Sequence, residues 1–462
     1  MNVIPFVHEG LGNSSYLAGL GDGTALLIDP DRSIDRYLAA ATARDWAITQ
    51  VFETHLHADF VSGALEVRAA TGAELFVPAG AAVRFPHRPL EANARVLAGG
   101  AVIEARHTPG HTPEHLSYVV EAAGTPPALF SGGSLLAGGA ARTDLIDPEQ
   151  TAELTRAQFR SITRAFRDLP DETLLLPTHG GGSFCSAGSS AQRTSTLGEE
   201  RRTNPLLAFT GEEEFARTFV ATFPAAPAYF FRMRALNQRG PRRRSEVPLP
   251  PLLAPAEFER RRGAGLVIDT RPQAQFMAGH IPGALSIAFR DAFATWLGWL
   301  VPEGQELYLV TGPEPLDAVL DECLLVGYER FGGVLAGGME SWRGAGLPVR
   351  QWPLLDAAEA KRMLLDGALA LDVREEDEFS AGHIPGALHI PLGALPARSG
   401  ELPHDRPIVV YCGHGERSAT GVSILETRSS GPLANLAGGF GGWRAAGFEV
   451  ERDSTPSTKE GQ

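Results

Sequence analysis

The stretch THLHADF, residues 54–60, follows a short apolar segment and carries three metal-binding side chains. His55 and His57 offer imidazoles and Asp59 offers a carboxylate, whereas Phe60, the next residue, offers no ligand atom. Metal-binding loops of this kind often begin where a strand ends. The stretch therefore predicts the start of a divalent metal site. The lack of a ligand at position 60 leaves open which metal-dependent reaction such a site supports.

Two later histidines lie in similar surroundings. His111 is part of HTPGHTPEH, residues 107–115, and His179 follows the apolar segment LLLP. Histidines at the ends of successive strands can converge on one edge of a sheet sandwich, so we expect these two to approach the THLHADF loop. His107 and His115 flank His111 in a loop and are interpreted as polar bystanders.

The composition predicts a soluble, multidomain protein. The chain has 462 residues, 43% of them hydrophobic, and a formal net charge of -14. This acidic balance argues against a nucleic-acid partner, and no apolar run is long enough to span a membrane. With 3 cysteines and no visible secretory signal, the expected compartment is the cytoplasm.

The second half of the chain contains an internal repeat. DTRPQAQFMAGHIPGA (residues 269–284) matches DVREEDEFSAGHIPGA (residues 372–387), and further matches follow at a similar offset. Each copy alternates short apolar strands with helical segments, which predicts a parallel sheet covered by helices. Residues 236–255, rich in Pro and Arg and without periodicity, are predicted to be a linker.

The last copy contains a cysteine loop, VVYCGHGERS, at residues 409–418. An apolar strand delivers Cys412 to a loop of small residues, and a helix begins where the loop ends. Such a loop directs backbone N–H groups inward and favours a bound anion or a thiolate. We therefore predict Cys412 as a sulfur-carrying nucleophile. The predicted catalytic and binding set is Cys412, Gly413, His414, Gly415, Glu416, Arg417 and Ser418.

The first copy lacks this nucleophile. The position equivalent to Cys412 is Thr311, in the loop TGPEPLD. Pro313 and Pro315 remove backbone donors, and Glu314 and Asp317 would repel an anion. We interpret this copy as a structural or docking module.

The cysteine copy resembles the rhodanese family of sulfurtransferases. The resemblance covers about residues 356–452 and includes the HIPGA turn at residues 383–387 and the cysteine loop. It implies that Cys412 carries sulfur and that the loop up to Arg417 binds the anion. A phosphatase with a similar cysteine loop is the alternative, and the HIPGA turn favours sulfur transfer.

Residues 1–235 resemble the metallo-β-lactamase fold, in the branch that joins glyoxalase II hydrolases and persulfide dioxygenases. The resemblance rests on THLHAD, PGHT, FSGGS and PTHG. Family members with two metals have a histidine at the position of Phe60 and a bridging aspartate at that of Gly133. The resemblance therefore implies a mononuclear site with His55, His57, His111, Asp59 and His179 as candidate ligands. Fe(II) is the expected metal. The alternatives are Zn(II), or no metal because Gly133 replaces the aspartate.

Together these features predict an α/β multidomain protein. An N-terminal αββα metallo-β-lactamase sandwich is expected at residues 1–240. A rhodanese domain without its cysteine follows at 250–352, and one with Cys412 at 353–453, both with parallel sheets. Residues 454–462 are predicted to be a disordered tail.

The order of these domains resembles fused persulfide dioxygenase–sulfurtransferases. It implies metal-dependent oxidation of a low-molecular-weight thiol persulfide to sulfite, coupled to sulfur transfer with thiosulfate or sulfite. Two alternatives remain open. One is a sulfurtransferase with a metal-poor persulfide-binding scaffold, and the other is a zinc thioester hydrolase of glyoxalase II type. Cys185 is interpreted as a buried loop residue, with persulfide exchange as its alternative role. The oligomeric state is left open, with a homo-oligomer among the options.

Overall fold

The computed structural model describes residues 1–187, 192–428 and 431–452, so the predicted tail at 454–462 lies outside the described residues. The chain forms two compact units. The first unit comprises Met1–Val247 and Leu320–Glu329, and the second comprises the remainder of the described chain from Pro248 onward. No helix among the described residues is both long enough and apolar enough to cross a membrane.

The first unit contains two six-stranded sheets and one small sheet. Its strands are β1 (Asn2–His8), β2 (Asn13–Gly19), β3 (Thr24–Ile28), β4 (Ala47–Phe52), β5 (Glu74–Pro78), β6 (Arg88–Leu90), β7 (Arg95–Ala98), β8 (Ala101–His107), β9 (Leu116–Ala122), β10 (Ala128–Gly132), β11 (Leu135–Leu136), β12 (Gly139–Ala141), β13 (Leu174–Pro177), β14 (Ser186–Ala187) and β15 (Ser195–Thr196). The strand orders are β1-β2-β3-β4-β5-β6, β15-β13-β10-β9-β8-β7 and β11-β12-β14.

The helices of this unit are α1 (Asp35–Thr42), α2 (Ala64–Thr71), α3 (Thr151–Arg164), α4 (Leu197–Thr203), α5 (Glu212–Val220) and α6 (Phe230–Arg239). Between the sheets lies an apolar core that includes Phe52, Phe76 and Phe130. One outer layer packs α1 and α2 on the first sheet, and α3 and α5 pack on the second. This is the predicted αββα sandwich, and the fold prediction is confirmed.

The stretch predicted to be a linker is ordered at its start. Residues 236–239 complete α6. Beyond them, the backbone N–H of Arg244 donates to Glu66, and Arg243 pairs with Glu246. Part of this Arg-rich segment is thus bound by carboxylates of the first unit, because its positive charges meet acidic partners there.

The second unit contains two five-stranded sheets of the same design. The first copy has β16 (Leu252–Leu253), β17 (Leu266–Asp269), β18 (Leu285–Ser286), β19 (Leu307–Val310) and β20 (Phe331–Leu335) in the order β16-β20-β19-β17-β18. Its helices are α7 (Pro255–Arg262), α8 (Gln273–Met277), α9 (Phe293–Leu300), α10 (Leu316–Leu325) and α11 (Gly338–Gly344), and the residues of α10 from Leu320 onward are part of the first unit. All its strand pairs are parallel, as predicted.

The second copy repeats this arrangement. Its strands β21 (Leu354–Leu355), β22 (Leu369–Asp372), β23 (Leu388–His389), β24 (Ile408–Tyr411) and β25 (Leu433–Leu436) lie in the order β21-β25-β24-β22-β23. Its helices are α12 (Ala357–Leu365), α13 (Glu376–Ser380), α14 (Leu395–Arg398), α15 (Glu416–Glu426) and α16 (Gly439–Ala445). Because its strand pairs are also parallel, β24 and β22 end at the same edge of the sheet, where the cysteine loop begins.

A buried ion pair stabilises this edge. Arg374 donates from Nη2 to Asp372 Oδ2 at 2.6 Å and to the Gly382 carbonyl at 2.7 Å. Both charged side chains are almost fully buried, so neither charge is solvated without the other.

We predict that Arg374→Ala lowers the free energy of unfolding by about 3–5 kcal/mol, because it leaves the Asp372 carboxylate buried and unpaired. Calorimetric or denaturant unfolding of the full chain measures this effect. Arg398→Ala, which breaks an exposed pair with Glu401, is the matched control and should change stability little. Equal stability of the two variants would contradict the prediction.

Candidate functional site

Five predicted metal-binding side chains meet at one edge of the sandwich. His55, His57 and Asp59 follow β4, His111 lies between β8 and β9, and His179 follows β13. Each is only 1% exposed. The sequence elements that carry them come from both sheets, so the sandwich itself brings them together.

Three of the imidazoles direct a nitrogen into a common space. His55 Nε2 lies 3.3 Å from His179 Nε2. Nitrogen atoms of His55, His111 and His179 all lie within 4.8 Å of one another. This spacing suits three nitrogen ligands around one cation.

The opposite nitrogen of each ring is held by a fixed partner. His55 Nδ1 lies 2.8 Å from Thr54 Oγ1, and His179 Nδ1 lies 3.1 Å from Asn13 Oδ1. His111 Nδ1 lies 2.6 Å from the carbonyl of Arg142. Because a carbonyl only accepts, Nδ1 of His111 carries the proton and Nε2 keeps its lone pair free for a metal.

In His57, Nε2 and not Nδ1 is the ring nitrogen with fixed partners. Its Nε2 lies 2.9 Å from Glu53 Oε2 and 3.4 Å from Asp29 Oδ1, while its Nδ1 has no partner. Burial alone would lower the pKa of His57, but the charge of Asp29 and hydrogen bonds to both carboxylates raise it to about 10. Without a metal, His57 is therefore an imidazolium at neutral pH.

The imidazoles of His55 and His111 are held neutral. Burial and the neighbouring His179 lower the pKa of His111 to about 3. Burial and the charge of His57 lower the pKa of His55 well below its ordinary range. Neutral imidazoles are the form that binds metals, so these rings need no deprotonation.

Asp59 supplies a negative charge beside the imidazoles. Its Oδ2 accepts a hydrogen bond of 2.7 Å from Asn13 Nδ2, and its Oδ1 has no partner. Burial favours the neutral acid, but the interaction with His179 holds the pKa of Asp59 below its ordinary value. Cys185 lies next to this carboxylate, and burial followed by the charge of Asp59 raises the pKa of its thiol well above the ordinary value. Cys185 therefore remains a thiol.

The residues present fit a metal ion. Buried polar atoms normally have hydrogen-bond partners, yet three atoms of this cluster have none. They are His57 Nδ1, Asp59 Oδ1 and His111 Nε2. A cation is the kind of partner that such atoms lack, and the histidine and aspartate cluster in this fold implies a metal.

Phe60 and Gly133 stand where family members with two metals have a histidine and an aspartate, so two ligands are missing. The Phe60 ring stacks on His57 with centroids 4.2 Å apart. A Cβ atom added to Gly133 would lie 2.5 Å from His111 Cδ2, so the imidazole occupies space that a side chain at position 133 would need. Neither position offers a ligand atom, which favours one metal rather than two.

His115, which was interpreted as a polar bystander, binds the backbone beside the cluster. It is fully buried, and its Nε2 accepts a 2.9 Å hydrogen bond from the Gly133 N–H. Its Nδ1 lies 2.8 Å from Thr108 Oγ1. His115 belongs to none of the possible metal-binding groups among the described residues, so its interpretation as a bystander stands as a prediction, while its ring binds the backbone beside the cluster. His107 is exposed, in line with that interpretation.

Sequence reasoning also missed the residues behind the imidazoles. Glu53 directly precedes the THLHADF stretch, and its position two residues before His55 was an available signal. Asp29 and Asn13 lie far away in sequence, in or next to strands β3 and β2, and reach the cluster only through sheet pairing.

The cysteine loop in the second unit joins β24 to α15. Cys412 is almost fully buried, and its Sγ accepts from the Gly415 N–H at 3.1 Å and from Ser418 Oγ at 3.5 Å. Gly415 has φ of 114°, a conformation that favours glycine. The loop therefore directs a backbone donor at the sulfur, as an anion cradle does, and the Ser418 hydroxyl is shared between this sulfur and the Gly415 carbonyl 2.9 Å away.

The remaining predicted loop residues have separate roles. Arg417 donates to the two carboxylate oxygens of Glu378 at 2.6 and 2.8 Å. Burial lowers the pKa of Arg417, but the bond to Glu378 and the nearby Cys412 raise it above its ordinary value. His414 is exposed, Glu416 begins α15, and the Gly413 carbonyl accepts from Gly441 N–H.

The equivalent loop in the first copy contains its own anion. The carboxylate of Glu314 accepts from the Gly312 N–H at 3.0 Å and from the Thr270 hydroxyl. Thr311 stands where the nucleophile would be. The carboxylate thus uses a backbone donor that a bound substrate would need.

Two family models match the chain. The metallo-beta-lactamase superfamily model matches residues 8–179, and the rhodanese-like domain model matches residues 254–345 and 356–446. A metallo-beta-lactamase structure from Staphylococcus aureus subsp. aureus COL is 28% identical. It covers 72% of this chain and 98% of its own, with a TM-score of 0.65.

Curated relatives resemble the first part of the chain. A hydroxyacylglutathione hydrolase of Methylobacterium nodulans is 31% identical over 222 residues, which cover 42% of this chain and 82% of the relative. One from Polaromonas sp. is 34% identical over 171 residues, or 36% of this chain and 62% of the relative. The chain spans about six tenths of the length of several such relatives.

We predict that the full chain binds one divalent cation in the histidine cluster and that His111→Ala weakens this binding at least tenfold. Loss of a nitrogen ligand from so small a set removes much of the affinity. Competition with a chromophoric chelator, using Co(II) and Zn(II), measures the binding. His107→Ala, which changes an exposed histidine four residues away, should bind like the wild type. Unchanged affinity in His111→Ala would rule out this ligand set.

We also predict that metal binding releases about one proton at neutral pH. The metal must displace the proton of His57, whose pKa is raised to about 10, so apparent affinity should rise about tenfold per pH unit between pH 7 and 9. Titration calorimetry in buffers with different ionisation enthalpies counts the proton. His57→Gln should abolish the release. Binding without proton release in the wild type would exclude His57 Nδ1 as a ligand.

Proposed function

Because the chain belongs to the metallo-beta-lactamase superfamily and carries two rhodanese-like domains, we propose that it is a bifunctional enzyme of sulfur metabolism. In this proposal, Cys412 transfers sulfane sulfur, and the histidine cluster oxidises a low-molecular-weight thiol persulfide to sulfite. Because all three cysteines are unpaired, we place the activity in the reducing cytoplasm.

The observation that carries the proposal is the Gly415 N–H directed at Cys412 Sγ. It lies 3.1 Å from this sulfur at the start of helix α15, and Ser418 Oγ lies 3.5 Å from the same atom and 2.9 Å from the Gly415 carbonyl. A donor preorganised around an anion stabilises it without further rearrangement. It supports a thiolate on Sγ before the transfer and again when Sγ leaves the persulfide.

The sulfur transfer proceeds in two displacements at Cys412. The Cys412 thiolate attacks the outer sulfur of thiosulfate, the S–S bond of thiosulfate breaks, and sulfite leaves with the bonding electron pair. An acceptor thiolate then attacks the outer sulfur of the Cys412 persulfide. The acceptor leaves as a new persulfide, and the Cys412 thiolate is restored.

In the first unit, His55, His57, His111, Asp59 and His179 would hold the metal. A ferrous ion would supply the redox chemistry that the oxidation of a persulfide by dioxygen requires. The chain contributes a buried site with neutral imidazoles, a fixed tautomer at His111 and an anionic Asp59. Burial also keeps water from a reactive sulfur species.

Persulfide chemistry gives a reason for joining the two sites. Sulfite, the oxidation product, accepts sulfane sulfur from Cys412 when the transfer runs in reverse and forms thiosulfate. A linked pair of sites raises the effective concentration of one product at the other.

Thioester hydrolysis is the second candidate, and the hydroxyacylglutathione hydrolases among the relatives favour it. Against it stand Phe60 and Gly133, which offer no atoms to a second metal. A persulfide-binding scaffold with little metal is the third candidate. Metal content distinguishes the three: iron supports oxidation, zinc with thioester turnover supports hydrolysis, and no metal supports the scaffold.

We predict that two variants separate the two activities. Cys412→Ser should abolish transfer from thiosulfate to a thiol or cyanide and leave oxygen uptake with glutathione persulfide intact. His111→Ala should do the opposite. Cys323→Ser, which changes a buried core cysteine, is the matched control and should retain both activities. Assays use protein purified without oxygen, with metal analysed in parallel.

Either half of this proposal can fail by itself. Sulfur transfer that persists in Cys412→Ser would remove the role of Cys412. Absence of iron and of oxygen uptake in the wild type would remove the oxidation and leave sulfur transfer.

A further inference from the structure

Helix α15, which follows the cysteine loop, is bound by the first copy at both of its ends. Ser286, in β18 of the first copy, also donates its backbone N–H to Ser423 Oγ in the body of this helix at 3.1 Å. The copy without a nucleophile therefore contacts the element on which the Cys412 loop depends.

The C-terminal end of α15 is anchored through Glu426. A carboxylate at a helix C-terminus is unfavourable because that end carries partial negative charge. Here the Glu426 carboxylate lies 2.9 Å from His280 Nε2 and accepts from the Gly283 N–H at 3.0 Å and from Trp352 Nε1. Burial would raise the pKa of Glu426, but the bond from His280 and the other two donors hold it below its ordinary value. All three donors belong to the first copy.

The N-terminal end of α15 meets Gln273, the first residue of α8. Gln273 Oε1 accepts a 3.0 Å hydrogen bond from Asn435 Nδ2, which also donates to the Gly415 carbonyl at 3.1 Å. Gln273 Nε2 lies 3.5 Å from the His414 carbonyl. The amide of Gln273 thus borders two consecutive peptide groups of the cysteine loop.

Gly415 leaves no free space on this side. A Cβ atom added there would lie 2.4 Å from Gln273 Oε1. Gly415 also donates its N–H to Cys412 Sγ at 3.1 Å. Contact with Gln273 therefore limits the movement of the residue whose N–H binds the reactive sulfur.

We propose that Gln273, in the copy without a nucleophile, is a positioning residue for sulfur transfer at Cys412. Gln273 borders the His414–Gly415 peptide, Asn435 binds the Gly415 carbonyl in the next one, and together they hold Gly415 so that its N–H stays directed at Sγ. The inference rests on the sulfur transfer proposed above, and it gives the first copy a role in that reaction.

The test uses the full chain with Gln273→Ala, Gln273→Met and Asn435→Ala. Methionine has a similar length but no hydrogen-bonding amide, so it separates packing from polar support. We expect each variant to lower kcat/KM for thiosulfate about threefold to tenfold, the size of a lost hydrogen bond. The double variant Gln273→Ala/Asn435→Ala should lose no more than the larger single effect, since both side chains act on Gly415 through its two adjacent peptide groups.

A second readout follows the sulfur directly. The pH profile of Cys412 alkylation by iodoacetamide should move to higher pH in the Gln273 variants, because the thiolate loses a well-placed donor. A change of packing alone would not move this profile. Gln275→Ala, an exposed glutamine on the same helix, is the matched control and should behave like the wild type in both assays.

The outcomes separate this inference from the function on which it rests. If the wild type transfers sulfur, Cys412→Ser does not, and both Gln273 variants match the wild type in rate and profile, the inference is overturned and the function stands. Full activity in Gln273→Met with loss in Gln273→Ala would also overturn it, since bulk alone would then suffice. If the wild type transfers no sulfur, the function fails, and the alkylation profiles still decide whether Gln273 positions the loop.

Discussion

The buried carboxylate of Asp29 connects the parts of the first unit that form its site. It accepts hydrogen bonds of 2.7 Å from both the N–H and the hydroxyl of Thr54, and another from the hydroxyl of Thr178. Thr54 precedes His55, and Thr178 precedes His179. One carboxylate thus fixes the backbone beside two predicted ligands that lie on different sheets. Asp29 itself has φ of 46°, an unusual conformation for a residue other than glycine, which these bonds stabilise. A buried charge needs a compensating one, and the His57 imidazolium provides it.

The candidate ligands of this site were predictable from the sequence because they follow short, recognisable patterns. His55, His57 and Asp59 lie within one loop, and the strand before them is apolar. The supporting residues have no such pattern. Asp29 and His115 reach the cluster only because particular strands pair, and single-sequence reasoning does not define that pairing. The burial of His115 and its bond to the Gly133 N–H could not be predicted for the same reason.

The two rhodanese-like copies show how one backbone design leads to two outcomes. In both, a parallel strand ends in a short loop before a helix, and the repeat in the sequence predicted that likeness. The absence of a nucleophile at Thr311 was equally visible. The sequence did not show that Glu314 would bond to the backbone of its own loop, or that Gln273 would contact the loop of the other copy. These contacts depend on side-chain direction and on packing between the copies, which a repeat pattern does not contain.

The charges around the histidine cluster explain how a metal site tolerates the loss of its usual carboxylate. Asp29 and Asp59 are both buried, and their pKa values are lowered, so both are ionised. The pKa of His57 is raised, and a metal would displace its proton. The buried carboxylates would then lose this imidazolium as a counterion, and the bound cation would take its place. Gly133 removes a direct ligand, but the field that attracts a dication comes from carboxylates that remain. Buried ionised groups of one sign favour the opposite charge strongly in a medium of low polarity. Nitrogen ligands with carboxylates behind them should therefore still bind one divalent metal ion. That ion should be held more weakly, in a more open coordination sphere, than in a site that retains the aspartate.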